Sequence, residues 1–291
     1  MNKTLRSMVA LAVMSPLLSA AAFAGSRTVY GRDDRVELFE ASWQERQLAD
    51  SVVSIWESKD VLEDRRTGSF SLNTTNVGET LALCPGERFR EQGIGAFCTG
   101  ALVGEDLIMT AGHCVPAQAA CDGMKIVFGY AIAAPGASAP ARIGAADVYS
   151  CKRILTRAET SNGPDYALIR LDRKVSGRRP LGINRTGNLK EGSKVLVIGH
   201  PVGLPLKIAG SAAVRYVFPR GYFVTDLDTF GGNSGSPVFN AATGLIEGIL
   251  VRGGRDFVTA PDGCTTLGVN SQTGGRGEDV TSISVLESYI P

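Results

Sequence analysis

The chain is short of the residues that hold metals, bind nucleic acid or span membranes. Its 291 residues contain only two histidines, and none of its six cysteines forms a Cys-x-x-Cys pair. The usual zinc ligand sets are therefore missing, and neither a metal nor another cofactor is expected. No basic tract or acidic tail appears, and 30 Lys and Arg against 29 Asp and Glu give a formal net charge of +1. That balance offers no electrostatic footprint for nucleic acid or an anionic membrane surface. Beyond the first residues there is no second long hydrophobic run, so no membrane anchor is expected. Segments with a 3.6-residue apolar period are few, and no internal repeat is found, which argues against alternating strand and helix units.

The first 24 residues read as an export signal. Lys3 and Arg6 open a short apolar run from Met8 to Leu18, and Ala22-Phe23-Ala24 fits the small-residue cleavage rule. Removing residues 1–24 takes away one Lys and one Arg, so +1 becomes −1. The expected partners are protein or peptide substrates, and the protein is expected to be a monomer, secreted or periplasmic. All six cysteines lie after the signal, and an even count in an exported chain favours disulfides, although six cysteines allow fifteen pairings.

Residues 25–50 read as an N-terminal arm or propeptide. From Ser51-Val52-Val53-Ser54-Ile55-Trp56 onward, short apolar runs recur between turn signals: 100–103, 107–110, 125–130, 167–171, 195–198, 214–217, 238–240 and 245–251. With 35 glycines and 13 prolines, this spacing predicts an all-β protein of antiparallel sheets or barrels. Residues 131–141, rich in Ala, Gly and Pro, read as an exposed loop, and the polar stretch 172–180 as the connection between two halves. Near the end, Ile283, Leu286 and Ile290 follow a candidate Thr281 cap, predicting a short C-terminal helix.

Three segments carry chemistry. Thr110-Ala111-Gly112-His113-Cys114 supplies an imidazole, which can act as a base near neutral pH. Gly232-Asn233-Ser234-Gly235-Ser236-Pro237 supplies a hydroxyl that is a poor nucleophile unless such a base stands beside it. Asp165, opening Asp165-Tyr166-Ala167-Leu168-Ile169-Arg170-Leu171, supplies an acid to hold the base in one tautomer. Each alone is weak, since a Gly-x-Ser-Gly segment is usually a turn and an Asp before a strand usually a cap. Their joint order, His then Asp then Ser, predicts nucleophilic acyl transfer.

These residues resemble the three ordered motifs of the trypsin-like, chymotrypsin-fold serine peptidases. The likeness covers about residues 51–291, and the Gly-Asn-Ser-Gly-Ser-Pro form is similar to the bacterial V8-like, glutamyl-endopeptidase branch. The resemblance implies two antiparallel six-stranded β-barrels, about 51–175 and 180–291, with the active site between them. Folding would then close the sequence intervals of 52 and 69 residues separating His113, Asp165 and Ser234. It implies a serine endopeptidase working through an acyl-enzyme, with the Gly232 and Ser234 N–H groups forming the oxyanion hole. Fold alone leaves room for an exported binding protein, an adhesin or inhibitor, against which the intact motifs argue. By the same resemblance Cys98 pairs with Cys114 beside the histidine. The pairing of the other four stays open: Cys121 and Cys151 flank strand and loop of the same expected barrel, and a bridge between them would leave Cys84 with Cys264.

Counting back from Ser234, Asp228, Thr229 and Phe230 correspond to the wall and base of the side-chain pocket, with Val251, Arg252 and Gly253 opposite. A carboxylate at Asp228 implies a Lys or Arg substrate side chain. Glutamyl-specific relatives use a histidine where this chain has Leu250. Arg252 leaves three alternatives: neutralising Asp228, binding an acidic side chain itself, or serving as an ordinary rim residue. His200, ending a strand in Ile198-Gly199-His200-Pro201, reads as structural. Asn233 stands where trypsin zymogens carry an aspartate, so activation must differ from theirs.

Overall fold

The computed structural model describes residues 27–291, so the expected export signal lies outside the described residues. Strands Val52–Glu57, Cys98–Gly104, Leu107–Thr110, Asp165–Leu171, Val148–Glu159 and Met124–Phe128 pair in that spatial order, and Met124–Phe128 returns to Val52–Glu57 to close the first barrel. The second barrel runs Lys194–Gly199, Pro237–Asn240, Ile246–Arg252, Glu278–Ser282, Tyr222–Thr225 and Lys207–Phe218, and its last strand pairs back to the first. All of these pairings are antiparallel, as the all-β reading requires.

Every residue of Cys98–Gly104 and Leu107–Thr110 is buried. A strand covered on both faces reads as a continuous apolar run, and this is why these two were visible in the sequence. The second barrel is filled by Val195, Val197, Val214, Phe223, Val238 and Val280. One apolar cluster spans the seam, joining Leu102 and Ile108 of the first barrel to Ile198, Phe239 and Ile249 of the second. It fixes the two barrels against each other and thus the residues between them.

Three disulfides join Cys98 to Cys114, Cys121 to Cys151 and Cys84 to Cys264. The expected C-terminal helix is a single 3-10 turn, Ile283–Val285, with Ile283, Leu286 and Ile290 buried in the seam. Thr281 does not cap it, because that residue ends up inside strand Glu278–Ser282.

Residues 27–50 are built into the body. Val29–Tyr30 pairs in parallel with Val269–Asn270, and Val36–Glu37 extends the Lys207 edge of the second barrel. Helix Trp43–Ala49 starts at a Ser42/Glu45 capping box. Lys207 Nζ meets Glu37 Oε2 at 3.0 Å with both side chains buried, a pairing that ties the arm down. Arg35 lies over the Phe230 ring at 4.0 Å, bringing the arm to the segment before the serine loop.

Candidate active site

Antiparallel register brings His113 and Asp165 together. Ala167 stands opposite Thr110, so continuing the ladder two residues past each puts Asp165 at Gly112. The chain turns there into the 3-10 helix Gly112–Cys114, which carries His113. Asp165 Oδ1 accepts from the Gly112 N–H at 2.7 Å and the His113 N–H at 3.1 Å, while Oδ2 lies 2.8 Å from His113 Nδ1. Asp165 is buried, and burial works against its ionisation. The His113 ring and the backbone donors outweigh that effect and hold the carboxyl below its ordinary value. An ionised Asp165 keeps the His113 proton on Nδ1 and leaves Nε2 free to accept another.

Ser234 is tied to the same corner through Thr99. The Thr99 N–H donates to the Ser234 carbonyl at 2.8 Å, and the Thr99 hydroxyl to the Gly232 carbonyl at 2.9 Å. Cys98, the preceding residue, is bonded to Cys114, the residue after His113. The base and the serine loop thus hang from adjacent residues of one strand end. Gly232 has φ +86°, a left-handed conformation that glycine takes without strain. Among the described residues, neither the Gly232 nor the Ser234 N–H donates to a protein acceptor.

A cavity of about 240 Å³ opens beside Ser234. Of the expected pocket residues, Thr229, Phe230, Val251, Arg252 and Gly253 line it. Asp228 does not. Its carboxylate accepts from the Tyr30 N–H at 2.7 Å and the Asp34 N–H at 3.1 Å, turned toward the arm. Burial, against those hydrogen bonds, pushes Asp228 up to about 7. Among the described residues the ion pairs of Arg252 are with Asp279 and Asp165, not with Asp228. Its guanidinium donates to the Gly163 carbonyl at 2.7 Å and the Thr160 carbonyl at 3.2 Å, and lies 3.3 Å from Asp279 and 3.7 Å from Asp165 Oδ2. A larger hollow of about 960 Å³, between helix Trp43–Ala49 and the second barrel, contains none of these residues.

His200 is structural. It is buried, its Nδ1 lies 2.9 Å from the Leu204 carbonyl, and its ring stacks on Tyr130. Burial pushes its pKa down to about 3, so it stays neutral.

Sequence reasoning missed four contributors. Thr281 Oγ both accepts from the Asp165 N–H and donates to the Asp165 carbonyl, each at 3.0 Å, which fixes the backbone of the acid. Thr28, Asp256 and Glu278 line the pocket.

A buried carboxylate on an imidazole, beside a serine loop with two unengaged N–H groups, defines the site of a serine hydrolase on a double-barrel frame. The chain belongs to the trypsin-like peptidase family, whose Trypsin-like peptidase domain matches residues 98–249, just over half of it. No curated protein matches the sequence significantly. Among solved structures the fold is similar to that of the Vibrio cholerae VesB protease, with 12% identity and a TM-score of 0.53. That match covers 88% of this chain and 66% of VesB, slightly under two thirds of its length.

Proposed function

We propose that the protein is a secreted or periplasmic serine endopeptidase of the V8-like branch that uses Ser234, His113 and Asp165. His113 Nε2 takes the hydroxyl proton as Ser234 Oγ attacks the peptide carbonyl. The same proton then passes to the leaving amine, and a serine ester remains for water to hydrolyse by the reverse sequence. Asp165 stays ionised throughout and stabilises the imidazolium. The Gly232 and Ser234 N–H groups receive the charge that develops on the carbonyl oxygen, where one such donor contributes about 3 kcal/mol.

The observation that carries this reading is the 2.8 Å contact between His113 Nδ1 and Asp165 Oδ2, with both backbone donors on the other carboxylate oxygen. Three disulfides suit an oxidising compartment outside the cytoplasm. Residues 27–50 remain with the working enzyme, because Tyr30 and Asp34 engage Asp228 and Glu37 engages Lys207. Cleavage falls after basic residues.

The test is Ser234→Ala, assayed for peptide hydrolysis alongside a thermal melt. The variant should melt like wild type and lose at least about 10⁴-fold in activity. Retention of wild-type turnover by a folded Ser234→Ala protein contradicts the proposal.

A further inference from the structure

Three consecutive peptide groups, from Gly231 to Ser234, frame the hollow beside the serine, and each is held through its carbonyl. The first carries the Gly232 N–H, and its Gly231 oxygen accepts from the Val202 N–H. The third carries the Ser234 N–H, and its Asn233 oxygen accepts from the Ser236 N–H at 2.9 Å. The middle group joins Gly232 to Asn233. Its N–H donates to the Phe230 carbonyl at 3.0 Å, a turn contact within the loop itself. Its Gly232 oxygen accepts from the Thr99 hydroxyl at 2.9 Å, and among the described residues no other group donates to that oxygen. The Thr99 hydroxyl oxygen also accepts from the His200 N–H at 3.0 Å. That amide can only donate, so the single hydroxyl proton goes to Gly232. Thr99 is fully buried, and its own N–H holds the Ser234 carbonyl at 2.8 Å. Gly231 and Gly232 stand together, so no side chain restricts rotation here, and Gly232 sits at φ +86°. A Cβ on Gly232 would lie 2.6 Å from the His200 carbonyl, so the loop presses on the turn after His200. That turn is itself set, because Val202 holds φ +58°, which a β-branched residue adopts only when its surroundings impose it.

We propose that Thr99 is a positioning residue for the oxyanion hole: its hydroxyl fixes the peptide plane between the two donors, so that the Gly232 and Ser234 N–H groups converge before substrate arrives. This rests on the peptidase reading above. Without the hydroxyl, the Gly232 carbonyl and the His200 N–H are both left without a partner, and rotation of the middle plane relieves the first. Gly232 tolerates either sign of φ, so that rotation turns its N–H away from the Ser234 N–H. Charge developing on the substrate oxygen then meets one donor instead of two. The ground-state carbonyl carries less charge and loses less, so the effect falls on turnover and not on binding.

The experiment compares Thr99→Val, which keeps the shape, with Thr99→Ser, which keeps the hydroxyl, in steady-state hydrolysis of a peptide substrate with thermal melts alongside. Thr99→Val should lose roughly 100-fold in kcat with KM within about threefold, the size expected for one oxyanion donor. Thr99→Ser should keep kcat within about threefold of wild type. Two inhibitors built on the best-cleaved sequence separate the hole from the rest of the site. A peptide aldehyde accepts Ser234 Oγ at its carbonyl carbon, the hydroxyl proton passing to His113, and leaves an oxyanion in the hole. The matching peptide alcohol binds without that step. Thr99→Val should weaken the aldehyde by roughly 100-fold and leave the alcohol unchanged. Thr99→Ala is the second hydroxyl-free variant, with the same expectations, should Thr99→Val not fold. The proposal is overturned if a folded hydroxyl-free variant keeps wild-type kcat, if folded Thr99→Ser loses as much as the hydroxyl-free variant, or if aldehyde and alcohol weaken alike. Folded wild type that neither cleaves any peptide nor labels with a fluorophosphonate refutes the peptidase reading itself, and the Thr99 assignment falls with it.

Discussion

Replacing Asp165 with asparagine separates charge and tautomer control from shape. The carboxylate faces three donors: the Gly112 and His113 N–H groups on one oxygen and His113 Nδ1 on the other. Asparagine has one oxygen and one NH₂ group in the same space. Two fixed backbone donors claim the oxygen, so the NH₂ must face Nδ1, which can only answer as an acceptor. The imidazole proton then moves to Nε2, and the nitrogen meant to receive the serine proton already carries one. A base held in the wrong tautomer costs about 10⁴-fold in kcat, or roughly 5 kcal/mol in the barrier. Because the backbone hydrogen bonds survive, folding should change little. The assay is kcat and KM on a peptide substrate with melting curves for both proteins. A folded Asp165→Asn enzyme within about tenfold of wild type would show that His113 does not depend on this carboxylate.

Other perturbations follow from the same contacts. Arg252→Gln frees the Thr160 to Gly163 segment that leads into Asp165, and should lower kcat by about tenfold with a smaller effect on KM for a short ester, as steady-state kinetics will show. Lys207→Met leaves the Glu37 carboxylate buried and unpaired, which should cost about 3–5 kcal/mol in urea unfolding. Adding Glu37→Gln should recover part of that loss. Burial raises Glu278 to about 8 and Asp228 to about 7, so the folded protein holds protons that the unfolded chain releases near pH 4. Stability from these groups therefore falls as pH rises from about 4 to about 8, and Glu278→Gln should flatten the slope seen in melts across that range.

The three chemical motifs were legible because each keeps its residue types within a few positions, and the strands flanking them are apolar on both faces. Strand Val148–Glu159 was not legible. Its Lys152-Arg153 and Thr156-Arg157 segments are exposed or only partly buried, and there no period-2 pattern is enforced. Asp228 was misplaced for a different reason. Counting back from a serine finds the chain position, but the direction of the carboxylate is set by Tyr30 and Asp34, almost 200 residues away. Glu278 and Asp256 went unseen because their importance lies in what stands opposite them, a glycine wall and a cavity, and the sequence does not order those by distance. The closing helix failed at Thr281, whose hydroxyl is used on the Asp165 backbone, so that residue stays in the last strand and the chain beyond it forms a single 3-10 turn, Ile283–Val285.

The central claim is that Ser234 is made nucleophilic by His113. Treating wild type with a fluorophosphonate, digesting it and locating the adduct by mass spectrometry tests this most directly. The account predicts one adduct, on Ser234, that disappears in a folded His113→Ala protein. An adduct on another serine, or equal labelling of Ser234 without His113, would contradict it.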